Sequence, residues 1–130
     1  MRTIFGTTAA ALALAMGGPA HAAYVEVWNV MTANPFGAQV VVEDVRYADG
    51  GVDAPSRPVG RTLLLGDGTV VAFTVVTQSG TGGLAFAVQC AAEASYGKVE
   101  IENPWTVVAS GACQLARRGT IVPGNMIRWD

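Results

Sequence analysis

Runs of β-branched, aromatic and other apolar residues recur about every 10 to 15 residues, and clusters of Gly, Pro, Asn and Asp separate them. Runs of this length, either alternating with polar residues or wholly apolar, are typical of β-strands. No stretch after residue 22 has the longer apolar period of a helix. The sequence therefore predicts an all-β fold: an antiparallel β-sandwich, or a Greek-key barrel, of about eight short strands.

The predicted strands cover residues 24–31, 38–48, 61–66, 69–78, 84–91, 98–103, 105–116 and 126–129. Asp67-Gly68 is the strongest hairpin signal, whereas residues 49–60 are rich in Gly, Pro and Asp and are predicted to be a loop. Residues 98–103, KVEIEN, alternate charged and branched side chains, so we expect a half-exposed or edge strand. Arg117 and Arg118 are expected in a solvated turn.

The first 22 residues have the three parts of a secretory signal peptide. Arg2 provides a positive start, residues 4–16 are mostly apolar, and Gly17-Gly18-Pro19 precedes Ala20-His21-Ala22, which has small residues where signal peptidase reads. The apolar run is shorter than the roughly 20 residues of a membrane span. We expect cleavage after Ala22, a single mature domain over residues 23–130, and a secreted or periplasmic location.

Cleavage would remove His21, the single histidine of the chain. Without an imidazole, the mature domain has no base for a Ser-His or Cys-His nucleophile and no histidine ligand for a metal. We therefore expect a protein that is not an enzyme and has no cofactor. Loss of Arg2 also changes the formal net charge from −2 to −3, which disfavours nucleic acid as a partner because phosphate binding needs clustered cations.

Cys90 and Cys113 are the two cysteines of the chain. An exported protein meets an oxidising compartment, so a disulfide is expected. The closed loop of 24 residues would stabilise the fold by about 3.5 kcal/mol in the chain-entropy description. A reactive thiol or a pair of metal-binding thiolates is the alternative.

Two groups of acidic residues have possible chemical roles. Glu100 and Glu102 lie two apart on a predicted strand, so both would face one side, as a carboxylate pair for glycoside hydrolysis requires. The simpler interpretation is a solvated strand face. Asp49, Asp53 and Asp67 lie in loops and could bind calcium, a question that the sequence leaves open; no metal site is predicted.

Aromatic residues in predicted loops or at a strand end are the stronger candidates for ligand contact. Phe36 follows Asn-Pro, Trp105 follows Asn103-Pro104, and Tyr96 precedes a glycine. Aromatic side chains at loop positions suit a sugar-stacking surface or a membrane interface. The alternative is local packing over the ends of the sandwich.

Three short segments resemble the aegerolysin and actinoporin-like group of small β-sandwich proteins: VEVWNV at the first strand, SGTGGLAFAV at the entry to a central strand, and IENPW at residues 101–105. The resemblance implies a sandwich that recognises lipid head groups through loop aromatics, with Asn103, Pro104 and Trp105 at matching positions. The disulfide is a departure from the group, and so is the absence of the N-terminal helix with which actinoporins form pores.

These observations predict a secreted, non-enzymatic module that recognises a membrane lipid or a glycan. Its predicted contact residues are Trp105, Asn103, Pro104, Tyr96 and Phe36. A structural or protein-interaction domain of an envelope assembly is the alternative, in which KVEIEN would pair with a partner strand. A carboxylate-based hydrolase is the third hypothesis. After cleavage no transmembrane segment is expected, and a protein partner is not identified.

Overall fold

The computed structural model of the protein describes residues 24–80, 82–92 and 96–130. Within these ranges the chain forms eleven β-strands and no helix, which confirms the predicted all-β sandwich. The strands are β1 Tyr24–Asn29, β2 Gln39–Tyr47, β3 Val52–Asp53, β4 Arg57–Pro58, β5 Thr62–Leu65, β6 Val70–Ser79, β7 Gly82–Cys90, β8 Tyr96–Asn103, β9 Thr106–Gly111, β10 Cys113–Val122 and β11 Met126–Trp129. The predicted signal peptide, residues 1–22, lies outside the described residues.

The strands form two sheets. The smaller sheet has the order β5-β1-β8-β9; β1 and β8 run parallel, whereas its other pairs are antiparallel. The larger sheet is antiparallel and has the order β11-β10-β7-β6-β2-β3, with β4 also paired to β2. The long β6 and β7 therefore lie at its centre, as their nearly continuous apolar sequence indicates.

Branched aliphatic side chains fill the space between the sheets. Val25 and Val27 alternate with outward residues on β1, as Val99 and Ile101 do on β8, and all four are fully buried. The larger sheet contributes further valines, Phe73 and Phe86 to the same cluster. Because side chains on a strand point alternately to opposite faces, this pattern fixes which residues each sheet leaves outside.

Cys90 and Cys113 form the predicted disulfide, between directly opposed positions of β7 and β10. The bridge lies among the buried residues of the core and reaches the smaller sheet at Gly97. A Cβ atom added at Gly97 would be 2.3 Å from Cys113 Sγ. The disulfide is compatible with an extracellular or periplasmic protein.

The hairpin predicted at Asp67-Gly68 does not form. The strands on either side of it belong to different sheets, β5 paired with β1 and β6 paired with β2 and β7, because packing of the whole chain overrides a local turn signal. The predicted strand 105–116 is also wrong: it is two strands, β9 in the smaller sheet and β10 in the larger one, because the chain turns at Gly111, whose φ is 65°.

Three further features differ from the sequence prediction. Residues 49–60 contain two short strands, β3 and β4, because their backbone groups pair with β2. Arg117 and Arg118 lie within β10 instead of in a turn, because their backbones pair with β7. Both side chains are exposed, as expected for charged residues. KVEIEN lies in β8 between β1 and β9. The prediction of one solvated face is right, but the edge position is wrong, because alternation reports on faces and not on neighbours.

The loops collect at two ends of the sandwich. One, the "loop end", comprises residues 30–38, 104–105 and 123–125 with the turn between β6 and β7. The opposite end contains the disulfide and the turns that hold Asp49 and Asp67. No helix in the described part of the chain is long and apolar enough to cross a membrane.

Candidate functional site

A shallow groove of about 310 Å³ opens at the loop end. Phe36 and Trp105 line it from two different loops, and Thr77, Leu84 and Ile121 contribute from three strands of the larger sheet. Its volume is at the small end of the range of ligand sites. Phe36 is 66% exposed and Trp105 is 49% exposed, so both rings are available to a molecule that lies in the groove or over it.

Hydrogen bonds fix the turn that carries Trp105. The backbone N–H of Trp105 donates to Asn103 Oδ1 over 3.0 Å, and the buried hydroxyl of Thr77 donates to the Pro104 carbonyl over 2.5 Å. Arg118 Nη2 donates to the Trp105 carbonyl over 3.4 Å. Asn103 and Pro104, both predicted contact residues, therefore hold the turn in place, and Trp105 is the residue that this turn presents.

Phe36 lies at the tip of a similarly fixed turn, Asn34-Pro35-Phe36-Gly37. The Gly37 N–H donates to the Asn34 carbonyl over 3.2 Å, and Gly37 has a φ of 61°, which favours glycine. The Asn34 side chain also accepts from the Ala38 N–H over 2.8 Å and donates to the Ala38 carbonyl over 2.9 Å. Local bonds thus hold Phe36 outward, although an apolar side chain gains nothing from exposure to water.

The sequence prediction missed Met126, which belongs to the same end. It follows the Pro123-Gly124-Asn125 turn and is 66% exposed. The turn is anchored to β6 because Gln78 Nε2 donates to Asn125 Oδ1 over 3.1 Å. A large apolar residue beside a Pro-Gly turn was a signal in the sequence, but the proximity of this turn to Phe36 and Trp105 depends on the sheet order.

Tyr96, the remaining predicted contact residue, lies elsewhere. It begins β8, whereas Trp105 follows the end of this strand, roughly 25 Å away along the chain direction. Its hydroxyl donates to Glu26 Oε1 over 2.7 Å, and Trp28 Nε1 donates to the same oxygen over 3.2 Å. The structure therefore brings together Phe36, Pro104 and Trp105 at the groove and places Tyr96 on the outer face of the smaller sheet.

These hydrogen bonds shift the pKa values of Glu26 and Tyr96 on the outer face of the smaller sheet. The bond from Tyr96, followed by that from Trp28, lowers the pKa of Glu26, because both stabilise the charged carboxylate. The same bond to Glu26 is the main cause that raises the pKa of Tyr96 to about 12. Glu100, proposed above as half of a carboxylate pair, is ion-paired with Lys98 over 3.5 Å.

At the opposite end, Asp53 at the end of β3 and Asp67 in a loop contact a guanidinium group. Arg57 forms ion pairs with Asp53 and, over 3.5 Å, with Asp67, and the bond to Asp53 is the main cause that raises the pKa of Arg57. Asp49 Oδ1 accepts from the Gly51 N–H within its turn, over 2.8 Å. Among the described residues, no group of three or more His, Cys, Asp and Glu side chains could hold a metal ion.

Comparison with protein-family models, with curated proteins and with solved structures gives no match for the chain.

Proposed function

We propose that the protein is a non-enzymatic recognition domain that binds membrane lipid through its loop end. One observation carries the proposal: three large apolar side chains, Phe36, Trp105 and Met126, are exposed at one end of the molecule, the first two in separate loops and the third at the start of β11. Exposed apolar groups concentrated in one place are typical of an interaction surface, and a Trp suits the polar–apolar boundary of a bilayer.

Three of the acidic residues lie away from the loop end, whereas Glu102 is exposed on β8 two residues before Pro104. Asp49, Asp53 and Asp67 lie at the opposite end of the sandwich, so the loop end can approach a membrane surface without bringing these carboxylates to it. Arg61, by contrast, lies near the loop end, where its carbonyl accepts from the Asn29 N–H. The groove between Phe36 and Trp105 would receive part of a lipid head group, and the resemblance to aegerolysin-like proteins supports the same ligand class.

The proposed location follows from the sequence. We propose that residues 1–22 direct export and are removed after Ala22, so that the mature domain meets membranes from the periplasm or from outside the cell. A glycan is the second candidate ligand, because the hydroxyl-bearing Thr120 and the aromatic Trp105 both line the groove. The envelope-assembly alternative loses its proposed edge, since β8 is paired on both sides.

Co-sedimentation of residues 23–130 with vesicles tests the proposal. Vesicles of phosphatidylcholine, with and without sphingomyelin or an anionic lipid, should pellet the protein. Trp105→Ala and Phe36→Ser should each weaken binding about tenfold or more, since each removes a large apolar side chain from the contact. The melting temperature should change by only a few degrees, because both side chains are largely exposed.

Leu64→Ser is the matched control. Leu64 is 56% exposed but belongs to β5, on the outer face of the smaller sheet, so its substitution should leave vesicle binding unchanged. Equal loss with Leu64→Ser would show that general surface hydrophobicity drives the binding. Absence of binding to every vesicle, together with binding to a glycan array that depends on Trp105, would replace the lipid with a sugar as the ligand.

A further inference from the structure

A second groove, of about 210 Å³, lies on the outer face of the larger sheet, away from the loop end. Small side chains form its floor: Ala72 and Thr74 on β6 and Ala87 on β7. Arg46 lines one side, and Arg117 lines the other together with Trp129. The groove therefore combines a small-residue floor with two arginines, the carboxylate of Asp44 and an aromatic ring at its margins.

Register shifts in β2 and β10 accompany the two arginines, which lie on opposite sides of this floor. The register of β2 shifts between Glu43 and Arg46, and that of β10 shifts before Arg117. Arg46 is then opposite Ala72, and Arg117 opposite Ala87. Bulges redirect side chains and are frequent beside binding sites. With strands spaced by about 4.8 Å, the backbones of β2 and β10 are roughly 14 Å apart. The arginine side chains are long enough to reduce the width of the groove between these strands.

Arg117 provides a positive charge that no carboxylate neutralises among the described residues. Its guanidinium lies 5.1 Å from the centre of the Trp129 ring. A guanidinium stacked on a ring keeps N–H groups at its edge for a planar, bidentate contact with a carboxylate. Arg46, by contrast, is bound to Asp44 over 3.2 Å. The groove thus has one unpaired cation and one paired cation.

The hydroxyl of Thr74 gives independent evidence of a ligand. Thr74 is only 8% exposed, and its neighbours Phe73 and Val75 point into the core, so its side chain points to the groove. No hydrogen bond joins this hydroxyl to another residue in the described part of the chain. A buried hydroxyl without a partner is unfavourable, and a ligand hydroxyl or carboxylate in the groove would supply the partner.

We propose that this groove binds a small molecule that carries both a carboxylate and hydroxyl groups, of the class of acidic sugars. Arg117 would bind the carboxylate, Thr74 would bind an adjacent oxygen, and Trp129 would contact the apolar face of the sugar ring. This site is separate from the loop end and does not depend on the proposed lipid function.

Isothermal titration calorimetry of residues 23–130 with glucuronate and with glucose tests this proposal. We expect binding of glucuronate that is weakened by salt, and at least about tenfold weaker binding of glucose, since a charge-assisted bidentate contact is lost. Arg117→Gln should weaken glucuronate binding by a similar factor. Arg128→Gln, the same change of charge beside Trp129 but on a residue that does not line the groove, should have no effect.

Thr74→Val separates a ligand role from a structural one. It should weaken glucuronate binding yet raise the melting temperature of the free protein by about 4 °C, because the buried hydroxyl is removed without loss of a protein hydrogen bond. Equal binding of glucose and glucuronate, no binding of glucuronate, or unchanged binding in both Arg117→Gln and Thr74→Val would overturn the proposal. Vesicle binding should be unaffected by all these variants.

Discussion

Tyr96 and Trp105 are both aromatic residues close to the end of a strand, yet their hydrogen bonds give them different roles. The Tyr96 hydroxyl is committed to Glu26, whereas the Trp105 turn is fixed by its backbone and leaves the ring free. Residue type alone made both of them candidates for ligand contact. The partners of their polar atoms distinguish a residue that organises a sheet face from one that is available to a ligand.

The bond between Tyr96 and Glu26 leads to a pH prediction. The contribution of Glu26 to stability is present above its ordinary pKa of 4.5 and is lost as pH falls through its lower folded value. That of Tyr96 is present below its ordinary pKa of 10.0 and is lost as pH rises towards 12. Tyr96→Phe should therefore raise the pKa of Glu26, as measured by NMR titration of its carboxyl carbon, and remove the tyrosinate transition near 12.

Tyr24→Phe is the control for this pair. The Tyr24 ring lies 5.2 Å from that of Tyr96, but no hydrogen bond joins Tyr24 to Glu26 among the described residues, so the pKa of Glu26 should stay low. A Glu26 pKa that is the same in Tyr96→Phe and in the unmodified protein would contradict the assigned cause.

At the scale of elements, the disulfide joins more than the two strands that carry it. It closes the β7–β10 pair within the larger sheet, and its Cys113 sulfur also packs on the Gly97 backbone of β8. The smaller sheet can approach this closely only because Gly97 has no side chain. The covalent bridge and the contact between the two sheets are therefore coupled at one position.

A double-mutant cycle measures this coupling. Gly97→Ala should lower the free energy of unfolding by about 2 kcal/mol or more, because a methyl group would overlap Cys113 Sγ. In the Cys90→Ala/Cys113→Ala background, which itself should cost about 3.5 kcal/mol, the same change should cost clearly less, since the sulfur is gone. Urea denaturation gives all four free energies.

Gly60→Ala serves as the reference substitution, because an added Cβ would meet no atom within 4 Å there. It should change stability by no more than about 0.5 kcal/mol. If Gly97→Ala cost the same with and without the disulfide, the sulfur contact would not be what requires glycine at this position.

For the whole molecule, the three tryptophans report on three different surfaces. Trp28 lies on the outer face of the smaller sheet beside Lys98, Trp129 on the outer face of the larger sheet beside Arg117, and Trp105 at the loop end. If the domain docks on a membrane by its loop end, only Trp105 reaches the bilayer. The orientation of the domain on a membrane can therefore be measured from the contact of each tryptophan side chain with the bilayer.

Three single-tryptophan proteins, with the other two residues changed to Phe, should distinguish the orientations. In the presence of vesicles with brominated acyl chains, the fluorescence of the Trp105 protein should be quenched, whereas that of the Trp28 and Trp129 proteins should not change. Quenching of Trp28 or Trp129 alone would indicate that the domain binds by a sheet face, which is incompatible with the proposed loop-end contact.

The sequence by itself determined the fold class, most of the long strands, the disulfide partners and the presence of aromatic residues in loops. Alternating apolar residues and turn-forming residues act over a few positions, so the local sequence records them. The positions of β2, β6, β7 and β11 were predicted to within a few residues. With only two cysteines in a chain that is predicted to be exported, the pairing also followed without knowledge of the fold.

Only the tertiary structure decided which of these elements are neighbours. The parallel pairing of β1 with β8, the interior position of KVEIEN and the meeting of Phe36, Trp105 and Met126 at one end all depend on contacts between residues far apart in sequence. The separation of Tyr96 from that end and the groove between Arg46 and Arg117 depend on strand order and on the register shifts of β2 and β10. Burial pattern specifies which face of a strand meets the core, but strand order is chosen by packing of the whole chain.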